Sequence, residues 1–551
     1  MNKLDKTYNV FFGNFKKLRP IQELTIPLVL AKENGLIIAP TASGKTEAVI
    51  APICEILLKE KKDDKNRLKV LYIVPTKALV SDLLKRLTDK VTGLGISIAG
   101  RTGDTRTFSE KSPQEILITT PETTDSLISR YPELLENLQF IVIDEIHFLD
   151  NTYRGDQIRV LLKRIKKNLV SDELTIFCIS ATVNDPKKLM DRYLKNGKVI
   201  ENKENNREIL FIPVDISKSE NFKKFRDYTN EYKIKKILAF CNSKKETIRF
   251  CEELKEIFYE KKDRIFEHHA AIDRKERKRI EDELAKDEFS ICVCTTTLEI
   301  GIDIGDIDAV ILKNPPLTVS SFLQRVGRGN RRTNITRCLG FYENIDEKQI
   351  FETMKDDAIN GKIEFLEYIP DISVCVQQIL SLSYQNYNNV KLELDENKII
   401  DFLKPLNFKD NVILQIVDHL INEERLIERV KVRDKTFIFP SKKLQNFIEK
   451  PLTRARINSN IPQKFNDVEV IDQNGKKIGV IAPPENMDSF TFAAKKWAIK
   501  DFSKKKIIVE QTSFATEIPS FNSSKYGYFY FHLPKEYQKI SNVKDWLNDS
   551  T

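Results

Sequence analysis

The cysteines of this sequence are few and scattered. There are eight of them in 551 residues, and no two form a Cys-x-x-Cys pair. Structural zinc sites and iron–sulfur clusters need closely spaced pairs of ligands, so we expect neither here. Reduced and mostly buried thiols are the simpler interpretation. The cysteines are Cys54, Cys178, Cys241, Cys251, Cys292, Cys294, Cys338 and Cys375.

Long apolar runs are also missing. No stretch reaches the roughly 18 apolar residues that a membrane-spanning helix requires. The N-terminus, MNKLDKTYNVFFGNFKKLRP, lacks the uninterrupted apolar core and the small-residue cleavage site of a signal peptide. With 41% hydrophobic and 31% charged residues, the composition is that of a globular protein. We therefore expect a cytoplasmic location and no membrane partner.

The charge balance restricts the function only weakly. The formal net charge is +9, and the sequence pI is about 8.8. For a chain of this length the excess is small, so it is compatible with a polyanionic partner without establishing one. The length itself exceeds what one hydrophobic core supports, and it indicates three or four domains.

The apolar pattern changes along the chain. Up to about residue 345, short apolar runs such as LKVLYIV, FIVID and FSICVCTT alternate with helix-length amphipathic stretches, interrupted by a polar stretch at 195–209 that we interpret as a linker. Strands that are apolar on both faces and separated by helices predict parallel sheets. Helical periodicity then leads to two β-like runs, LIERVKVRDKTFIFP, which suggest a winged helix. The last hundred residues, with DVEVIDQNGKKIGVIA, KKIIVEQT and YGYFYFHL, predict hairpin-rich β structure.

The predicted fold class is therefore α/β, with two parallel-sheet domains followed by a winged-helix domain and a small β-rich domain. The predicted boundaries are 1–205, 206–345, 346–450 and 451–551.

The stretch APTASGKTEA turns a predicted strand into a predicted helix. Unpaired N–H groups at a helix N-terminus and a lysine ammonium together form an anion cradle. Lys45 should reach the β and γ phosphates, and the Thr46 hydroxyl should ligate magnesium, while the N–H groups from Thr41 to Gly44 hold phosphate oxygens. The strict pattern has glycine where this chain has Ala39. An ordinary strand–helix turn is the alternative.

A second element follows the apolar run FIVI. Carboxylates at the carboxyl end of a parallel strand face the crevice where such sheets bind ligands. There Asp144 can hold the magnesium ion, and Glu145 can orient and deprotonate the attacking water. A solvated acidic loop is the alternative. For His147, a core or bridging role and a coupling role both remain open.

Eight motifs, in order, resemble those of the superfamily 2 helicases. They are Gln22 in RPIQ, APTASGKTE, PTKAL (75–79), TPET (120–123), DEIH (144–147), SAT (180–182), TTTLEIGIDIG (295–305) and QRVGRGNR (324–331). The resemblance covers about the first 345 residues. It implies two tandem RecA-like domains and ATP with Mg²⁺ as cofactors. The residues that it implies at the nucleotide are Gln22, Thr41, Ala42, Ser43, Gly44, Lys45, Thr46, Glu47, Gly301 and Asp303.

The same resemblance implies a catalytic role for the last motif. Arg328 and Arg331 would place positive charge on the departing γ-phosphate, and Gln324 and Arg325 begin this motif. Asn330 stands where glycine is usual. Because Lys45 and these arginines lie on different predicted domains, we expect ATP to draw the domains together and hydrolysis to release them. A solvated or nucleic-acid-binding basic face is the alternative for this cluster.

The resemblance also implies contacts with nucleic acid and residues that couple them to the nucleotide. The implied nucleic-acid contacts are Thr76, Arg101, Thr120, Asn242, Ser243, Thr295 and Thr296. The implied coupling residues are His147, Ser180 and Thr182.

Within the superfamily, RPIQELTIP, RTGDT, HHAAIDRKER, TTTLEIGIDIG and FTFAAKKWAI are most similar to the large helicase-related (Lhr) branch. That branch implies an ATPase that depends on single-stranded DNA, moves 3′ to 5′, and unwinds duplexes or DNA–RNA hybrids in repair, recombination or genome defence. An RNA helicase remains open because DEIH and SAT do not distinguish the sugars. An ATP-switched sensor with protein partners in a repair or defence assembly also remains open. For Trp497, both a core position and base stacking remain open.

Overall fold

The structure is a computed structural model. It describes residues 4–15, 17–40, 43–60, 67–168, 173–181, 183–194, 196–202, 208–286, 288–299, 305–329, 335–363, 368–388, 392–462, 468–483, 488–503, 505–513, 515, 517–519 and 527–548. The chain forms two compact units, each assembled from separated segments. The first unit comprises Met1–Lys203, Leu366–Gln463 and Ser524–Thr551, and the second comprises Glu204–Phe365 and Lys464–Ser523.

The first segment of the first unit alternates helices and strands. Its elements are α1 (Tyr8–Phe12), α2 (Pro20–Leu30), β1 (Gly35–Ile38), α3 (Lys45–Lys59), β2 (Val70–Ile73), α4 (Lys77–Gly93), β3 (Ile98–Arg101), β4 (Ile116–Thr119), α5 (Pro121–Arg130), β5 (Phe140–Ile143), α6 (Tyr153–Asn168), β6 (Thr175–Ser180), α7 (Pro186–Tyr193) and β7 (Lys198–Glu201).

These strands form one seven-stranded sheet in the order β3-β4-β2-β5-β6-β1-β7, and every pairing in it is parallel. All residues of β1, β2, β4, β5 and β6 are buried, as the apolar runs predicted. The linker prediction for 195–209 was wrong for Lys198–Glu201, which forms the edge strand β7. The polar side chains of this segment do not indicate a strand. Its backbone nevertheless pairs with that of β1, which supplies the hydrogen bonds of an edge strand.

The first segment of the second unit repeats this pattern. Its elements are β8 (Glu208–Asp215), α8 (Ser219–Glu231), β9 (Lys236–Phe240), α9 (Lys244–Ile257), β10 (Ile265–His268), α10 (Arg274–Ala285), β11 (Ser290–Cys294), β12 (Ala309–Leu312), α11 (Val319–Val326), β13 (Ile335–Tyr342) and α12 (Ile345–Ile359). The strands form a six-stranded parallel sheet in the order β10-β11-β9-β12-β13-β8. The two predicted parallel-sheet domains are thus confirmed as folds.

The chain then returns to the first unit as a helical segment closed by a hairpin. Its elements are α13 (Ser373–Asn388), α14 (Glu396–Leu403), α15 (Asp410–Asn422), β14 (Ile427–Val432), β15 (Lys435–Pro440), α16 (Lys442–Glu449) and α17 (Pro451–Ile457). The strands β14 and β15 pair antiparallel, as the run LIERVKVRDKTFIFP predicted. The winged-helix assignment and the four domain boundaries stay predictions.

A mixed five-stranded sheet completes the second unit. Its strands are β16 (Val468–Asp472), β17 (Lys477–Ile481), β18 (Ser489–Phe492), β19 (Lys495–Phe502) and β20 (Lys506–Gln511), in the order β17-β16-β20-β19-β18. The predicted β-rich region is confirmed in this part. Trp497 is buried and its indole N–H donates to the Phe492 carbonyl at 2.8 Å, so its core interpretation is confirmed.

The turn between β18 and β19 has an unusual backbone. Ala493 and Ala494 have φ values of 54° and 59°, in the left-handed region where alanine is disfavoured. Contacts within the second unit hold this turn in place. The Ala494 N–H donates to Glu267 Oε2 at 2.8 Å, and the Lys255 ammonium donates to the Ala494 carbonyl.

The β prediction for YGYFYFHL was wrong, because Tyr528–His532 forms a 3-10 helix of the first unit. Phe529 and Tyr530 are consecutive and both buried, whereas consecutive residues of a strand point to opposite faces. The N–H groups of Tyr528 and Phe529 donate to the backbone and side-chain oxygens of Asn460, each at 3.0 Å. Pro451–Ile457, also expected in the β-rich region, is helix α17.

Two findings concern predictions made from composition. All eight cysteines are buried and unpaired, which confirms that interpretation. Within the described ranges, no helix combines the length and the apolar character needed to cross a lipid bilayer.

A buried polar network joins α13 to α5 and α6 inside the first unit. Asp125 Oδ2 accepts hydrogen bonds from the Nε2 atoms of Gln377 and Gln378 at 2.8 and 2.6 Å. Arg164 Nη1 lies 3.2 Å from Asp125 Oδ1, and Arg164 Nη2 donates to Gln385 Oε1 at 2.7 Å. Both charged side chains are buried, so each depends on the other for compensation.

Replacing Asp125 with alanine should strongly destabilise the first unit. The substitution leaves the Arg164 guanidinium buried without its counter-charge, and breaking such a pair typically costs about 3 to 5 kcal/mol. Urea unfolding followed by circular dichroism measures the change. The control is Asp5→Ala in the same unit, which removes only an exposed ion pair to Lys59 at 3.5 Å and should change stability by less than about 0.5 kcal/mol. Equal effects of the two substitutions would contradict the assigned importance of the network.

Candidate nucleotide and nucleic-acid sites

The loop between β1 and α3 is fixed by Gln22 from α2. The Gln22 side chain accepts from the Arg19 N–H at 3.0 Å and donates to the Gly44 carbonyl at 3.3 Å. Gly44 has a φ of 86° and directly precedes Lys45, the first residue of α3. A Cβ atom at this position would lie 2.3 Å from Gln22 Nε2, so the close approach requires glycine. Thr41 and Ala42 lie outside the described residues.

The Lys45 ammonium lies across this loop. It donates to the carbonyl oxygens of Ala39 and Pro40 at 2.5 and 2.8 Å, and the residue is buried. Its charge is therefore held beside the N-terminus of α3, where unpaired N–H groups and the helix dipole also attract an anion. Lys45 and Thr46 thus begin α3, and their predicted role in holding phosphate stays a prediction.

Asp144 directly follows β5 at the carboxyl edge of the sheet, and the residue is buried. The hydroxyl of Tyr72, from the neighbouring strand β2, donates to Asp144 Oδ2 at 2.6 Å. Burial and the adjacent Glu145 carboxylate raise the pKa of Asp144 to about 6, while the Tyr72 hydrogen bond and the Lys45 charge act to lower it. The charge of Lys45 therefore acts on the carboxylate that follows β5.

The oxygen ligands at this site suit a magnesium ion. Thr46 offers a hydroxyl and Asp144 a carboxylate, which are the hard ligands that Mg²⁺ prefers. Tyr72 lies close to both groups: its hydroxyl donates to Asp144 Oδ2, and the Thr46 side chain acts to lower the pKa of the same hydroxyl. Glu47, the next residue along α3, pairs instead with Arg86 at 2.9 Å.

Glu145 has a strained backbone and lies within reach of His147. Its φ of 50° is in the left-handed region, where a residue other than glycine persists only if its surroundings enforce it. The Glu145 N–H donates to Asp144 Oδ1 at 2.8 Å, and Glu145 Oε2 lies 3.5 Å from His147 Nε2.

His147 connects Glu145 to the end of β6. The His147 Nδ1 atom lies 3.0 Å from the Ser180 hydroxyl, and the Ala181 N–H donates to the same ring nitrogen at 3.4 Å. The structure thus brings Glu145, His147 and Ser180 together, as the bridging interpretation of His147 requires. Thr182 lies outside the described residues.

The last motif lies in and after α11 of the second unit. Gln324 Nε2 donates to the Ser320 hydroxyl at 3.3 Å. Arg325 Nη1 donates to Asn242 Oδ1 at 3.0 Å, and its Nε lies 3.5 Å from Glu299 Oε2. Arg328 is buried as well. Arg325 and Arg328 are thus embedded in their domain, which does not fit a wholly solvated basic face. Gly301, Asp303, Asn330 and Arg331 lie outside the described residues.

The predicted nucleic-acid contacts of the first unit lie where strands end and helices begin. Thr76 is the N-cap of α4 and accepts from the Leu79 N–H at 3.3 Å. Thr120 is the N-cap of α5. Arg101 ends β3, pairs with Glu110 at 2.8 Å and lies over the ring of Tyr131. Because β3, β4 and β2 are neighbours in the sheet, these residues share its carboxyl edge.

In the second unit, the predicted contacts follow β9 and β11. Asn242 and Ser243 are exposed, and Ser243 caps α9 by accepting from the Glu246 N–H at 3.2 Å. The Asn242 amide also donates to the Pro315 carbonyl at 2.8 Å, in addition to holding Arg325. Thr295 and Thr296 follow β11, and Thr296 is exposed. The roles of all these residues stay predictions.

Two residues of the first unit were missed by sequence reasoning. Tyr72 stands in the apolar run LKVLYIV. Its hydroxyl, in a strand that is buried on both faces, was the feature of the sequence that indicated a polar partner. Arg154 lies ten positions after the aspartate of DEIH and belongs to no motif that we identified. It donates to Glu122 and to the Pro75 carbonyl.

Comparison with protein families identifies both parallel-sheet domains. The DEAD/DEAH box helicase model matches residues 19–190, and the helicase conserved C-terminal domain model matches residues 219–333. The ATP-dependent helicase Lhr-Core of Methanocaldococcus jannaschii is 30% identical over 468 residues, which cover 78% of this chain and 54% of that protein. The Lhr-Core protein of Sulfolobus acidocaldarius is 30% identical over 473 residues, with 73% and 53% covered. This chain spans about half the length of these curated relatives.

Solved structures share the fold. Helicase Lhr of Mycobacterium smegmatis, bound to single-stranded DNA and AMP-PNP, matches with a TM-score of 0.70 and 23% identity over 83% of this chain and 62% of that chain. The DUF1998 helicase MrfA, bound to DNA and AMP-PNP, matches with a TM-score of 0.72 and 20% identity over 93% and 73%. The chain therefore belongs to the superfamily 2 helicases, and within that superfamily it is of the Lhr type.

Replacing Tyr72 with phenylalanine should raise the pKa of Asp144 above its value of about 6. The lost hydrogen bond favours the charged carboxylate, and one of about 1.5 kcal/mol corresponds to a shift of about one unit. Binding of Mg²⁺-ATP needs the ionised form of Asp144, so the loss of binding at low pH should begin at a higher pH in this variant. Titration calorimetry between pH 5.5 and 8 measures this shift.

Tyr193→Phe is the matched control. It removes a buried tyrosine hydroxyl that donates to Asp150 at 3.0 Å rather than to Asp144. Its binding profile should follow that of the unmodified protein. If Tyr72→Phe also left the profile unchanged, the assigned influence of Tyr72 on Asp144 would be wrong.

Proposed function

We propose that this protein is an ATPase stimulated by nucleic acid that moves along single-stranded DNA in the 3′ to 5′ direction. The observation that carries the proposal is the convergence of Lys45, Thr46, Asp144 and Glu145 on one edge of the first sheet. Family membership supports the same conclusion, because both helicase domain models match.

Each group at this edge has a distinct task in phosphoryl transfer. Lys45 and the N–H groups at the start of α3 hold the β and γ phosphates and balance their charge. Thr46 and Asp144 would hold Mg²⁺, which would neutralise charge that develops on the phosphate oxygens. Glu145 orients the attacking water and accepts its proton. His147, which contacts both Glu145 and Ser180, then couples a change at Glu145 to the end of β6.

Single-stranded DNA is the proposed track, with a DNA–RNA hybrid as the proposed substrate for unwinding in repair, recombination or defence. The likeness to Mycobacterium smegmatis Lhr, whose structure contains single-stranded DNA, supports this choice. An RNA helicase is the second candidate, because Dbp5 and Mss116 of the same fold are bound to RNA, with TM-scores of 0.54 and 0.55. We also propose a cytoplasmic location.

Turnover of ATP measured against increasing single-stranded DNA, duplex DNA and RNA tests the proposal. We expect single-stranded DNA to stimulate turnover at the lowest polymer concentration. Stronger stimulation by RNA would favour the RNA helicase, and indifference to all three polymers would refute the proposed function. Binding should weaken as salt rises, because neutralised phosphates release counterions.

A sensor in which ATP only switches the grip on nucleic acid is a third candidate. Strand displacement under multiple turnover distinguishes it from a motor. ATP-dependent binding without displacement or movement would favour the switch, in which partner proteins of a defence or repair assembly would read the bound state.

Replacing Glu145 with glutamine should lower the turnover number for ATP by a factor on the order of 10² or more, because the water loses its base. ATP and single-stranded DNA should still bind and remain trapped together. Rapid-quench kinetics and filter binding measure the two effects. Glu133→Gln, at an exposed glutamate of the same unit, is the control and should match the unmodified protein. Normal hydrolysis by the Glu145 variant would refute its role as base.

A further inference from the structure

The guanidinium of Arg154 links two loops at the carboxyl edge of the first sheet. Arg154 lies in the first turn of α6. Its Nε and Nη2 donate to the two carboxylate oxygens of Glu122 at 2.6 and 3.0 Å, and its Nη1 donates to the carbonyl oxygen of Pro75. One planar group thus holds a carboxylate with two parallel bonds and a backbone carbonyl with a third.

The two acceptors mark the starts of two neighbouring helices. Pro75 precedes Thr76, the N-cap of α4, and Glu122 stands in the first turn of α5, whose N-cap is Thr120. The strands β2 and β4 that lead into these loops are paired in parallel. Arg154 therefore links the loops of Thr76 and Thr120, two of the threonines that are predicted to contact nucleic acid.

The segment between Asp144 and Arg154 has little freedom. The Thr152 hydroxyl donates to the Leu149 carbonyl at 2.6 Å and accepts from the Arg154 N–H at 3.2 Å. A Cβ atom on Gly155 would lie 2.3 Å from the Leu149 carbonyl oxygen, so the chain folds back here as closely as glycine permits. Arg154 is thus held in a fixed position relative to the end of β5.

A second route through β2 closes a ring of contacts. Tyr72 of β2 bonds Asp144, and the same strand leads into Pro75, which Arg154 holds. The nucleotide-binding edge and the two loops are therefore connected both through β2 and through the segment that follows Asp144. A displacement at Asp144 reaches both loops through packed or hydrogen-bonded groups.

The pair formed by Arg154 and Glu122 is largely buried, with side-chain exposures of 18% and 15%. Burial acts to raise the pKa of Glu122, but the charge and hydrogen bonds of Arg154 outweigh it and hold the pKa below its usual value. The carboxylate therefore stays ionised at neutral pH. Lysine could keep the positive charge here, but its single ammonium cannot reproduce the planar fork that serves three acceptors.

We propose that Arg154 is a positioning residue that holds the Thr76 and Thr120 loops at a fixed separation, so that both loops engage the same strand. The inference rests on the proposed function, since it concerns how that strand is held. It assigns Arg154 no contact with ATP.

The test compares Arg154→Lys with Arg159→Lys. Arg159 lies on the same helix and contacts Asp156 and Tyr368 instead of the two loops, so it is a matched control. For Arg154→Lys, we expect the concentration of single-stranded DNA that half-saturates ATP turnover to rise about tenfold, as loss of a charge-assisted contact would produce. Basal turnover and the KM for ATP should stay within about twofold of the unmodified protein.

The salt dependence of binding separates positioning from a direct contact of Arg154 with the strand. The slope of log K against log salt counts the phosphates that cationic side chains neutralise, with about 0.7 for each on a single strand. Because Thr76 and Thr120 are uncharged and lysine keeps the charge at position 154, Arg154→Lys should raise half-saturation and leave the slope unchanged. Partial unfolding would only reduce the active fraction. Unchanged half-saturation for Arg154→Lys, or a lower slope, would overturn the inference.

Glu122→Gln is the second variant, should Arg154→Lys fail to fold. Glu122→Gln preserves the side-chain shape but removes the negative charge that orients the Arg154 guanidinium. Half-saturation by single-stranded DNA should therefore rise as it does for Arg154→Lys, but by a smaller factor. Wild-type values in this variant would overturn the inference. If the unmodified protein bound and responded to no polymer, the proposed function itself would fail, and the two failures are thereby distinguished.

Discussion

The hydrogen bond from Tyr72 to Asp144 ties the nucleotide-binding edge to the strand that precedes Thr76. It joins β2 to β5 across the middle of a buried sheet, where a carboxylate has little water to stabilise its charge. Asp144 lies next to a second carboxylate, Glu145, so the pair repels itself and favours a nearby cation. The positive charge of Lys45 acts to lower the pKa of Asp144 and so favours its ionised form. The chemistry of the site thus follows from placing an acid at the carboxyl end of a strand that is covered on both faces.

The two helix starts at Thr76 and Thr120 depend on the same sheet. Because β2 is paired with both β4 and β5, one strand borders the acidic site on one side and the second loop on the other. Arg154 completes this arrangement from α6, with a fork that no other side chain of the described residues supplies to both loops. The proposed contacts with a charged strand and the proposed nucleotide site therefore lie at adjoining ends of the same three strands, β4, β2 and β5.

Sequence reasoning predicted the fold where the pattern is contiguous in the chain, because the alternation of apolar runs with helices predicted both parallel sheets. The cradle before Lys45 and the acidic pair at Asp144 are also local patterns, and their roles stay predictions. Sequence reasoning failed where partners are distant in sequence. Tyr72 and Arg154 act through residues that are dozens of positions away, which no spacing rule brings together. The 3-10 helix at Tyr528–His532 was missed because an aromatic run suits a strand equally well until Asn460 supplies its hydrogen-bond acceptors.

The turn at Ala493 and Ala494 limits how the second unit can be dissected. Both alanines hold a backbone that they disfavour, and the groups that enforce it come from Glu267 and Lys255, more than two hundred positions earlier. A fragment that contained only β16 to β20 would lack these groups and would have no reason to keep its hairpin in register. The small sheet is therefore better regarded as a late-arriving part of the second parallel-sheet domain than as a separable module, and its synthesis completes a core begun much earlier in translation.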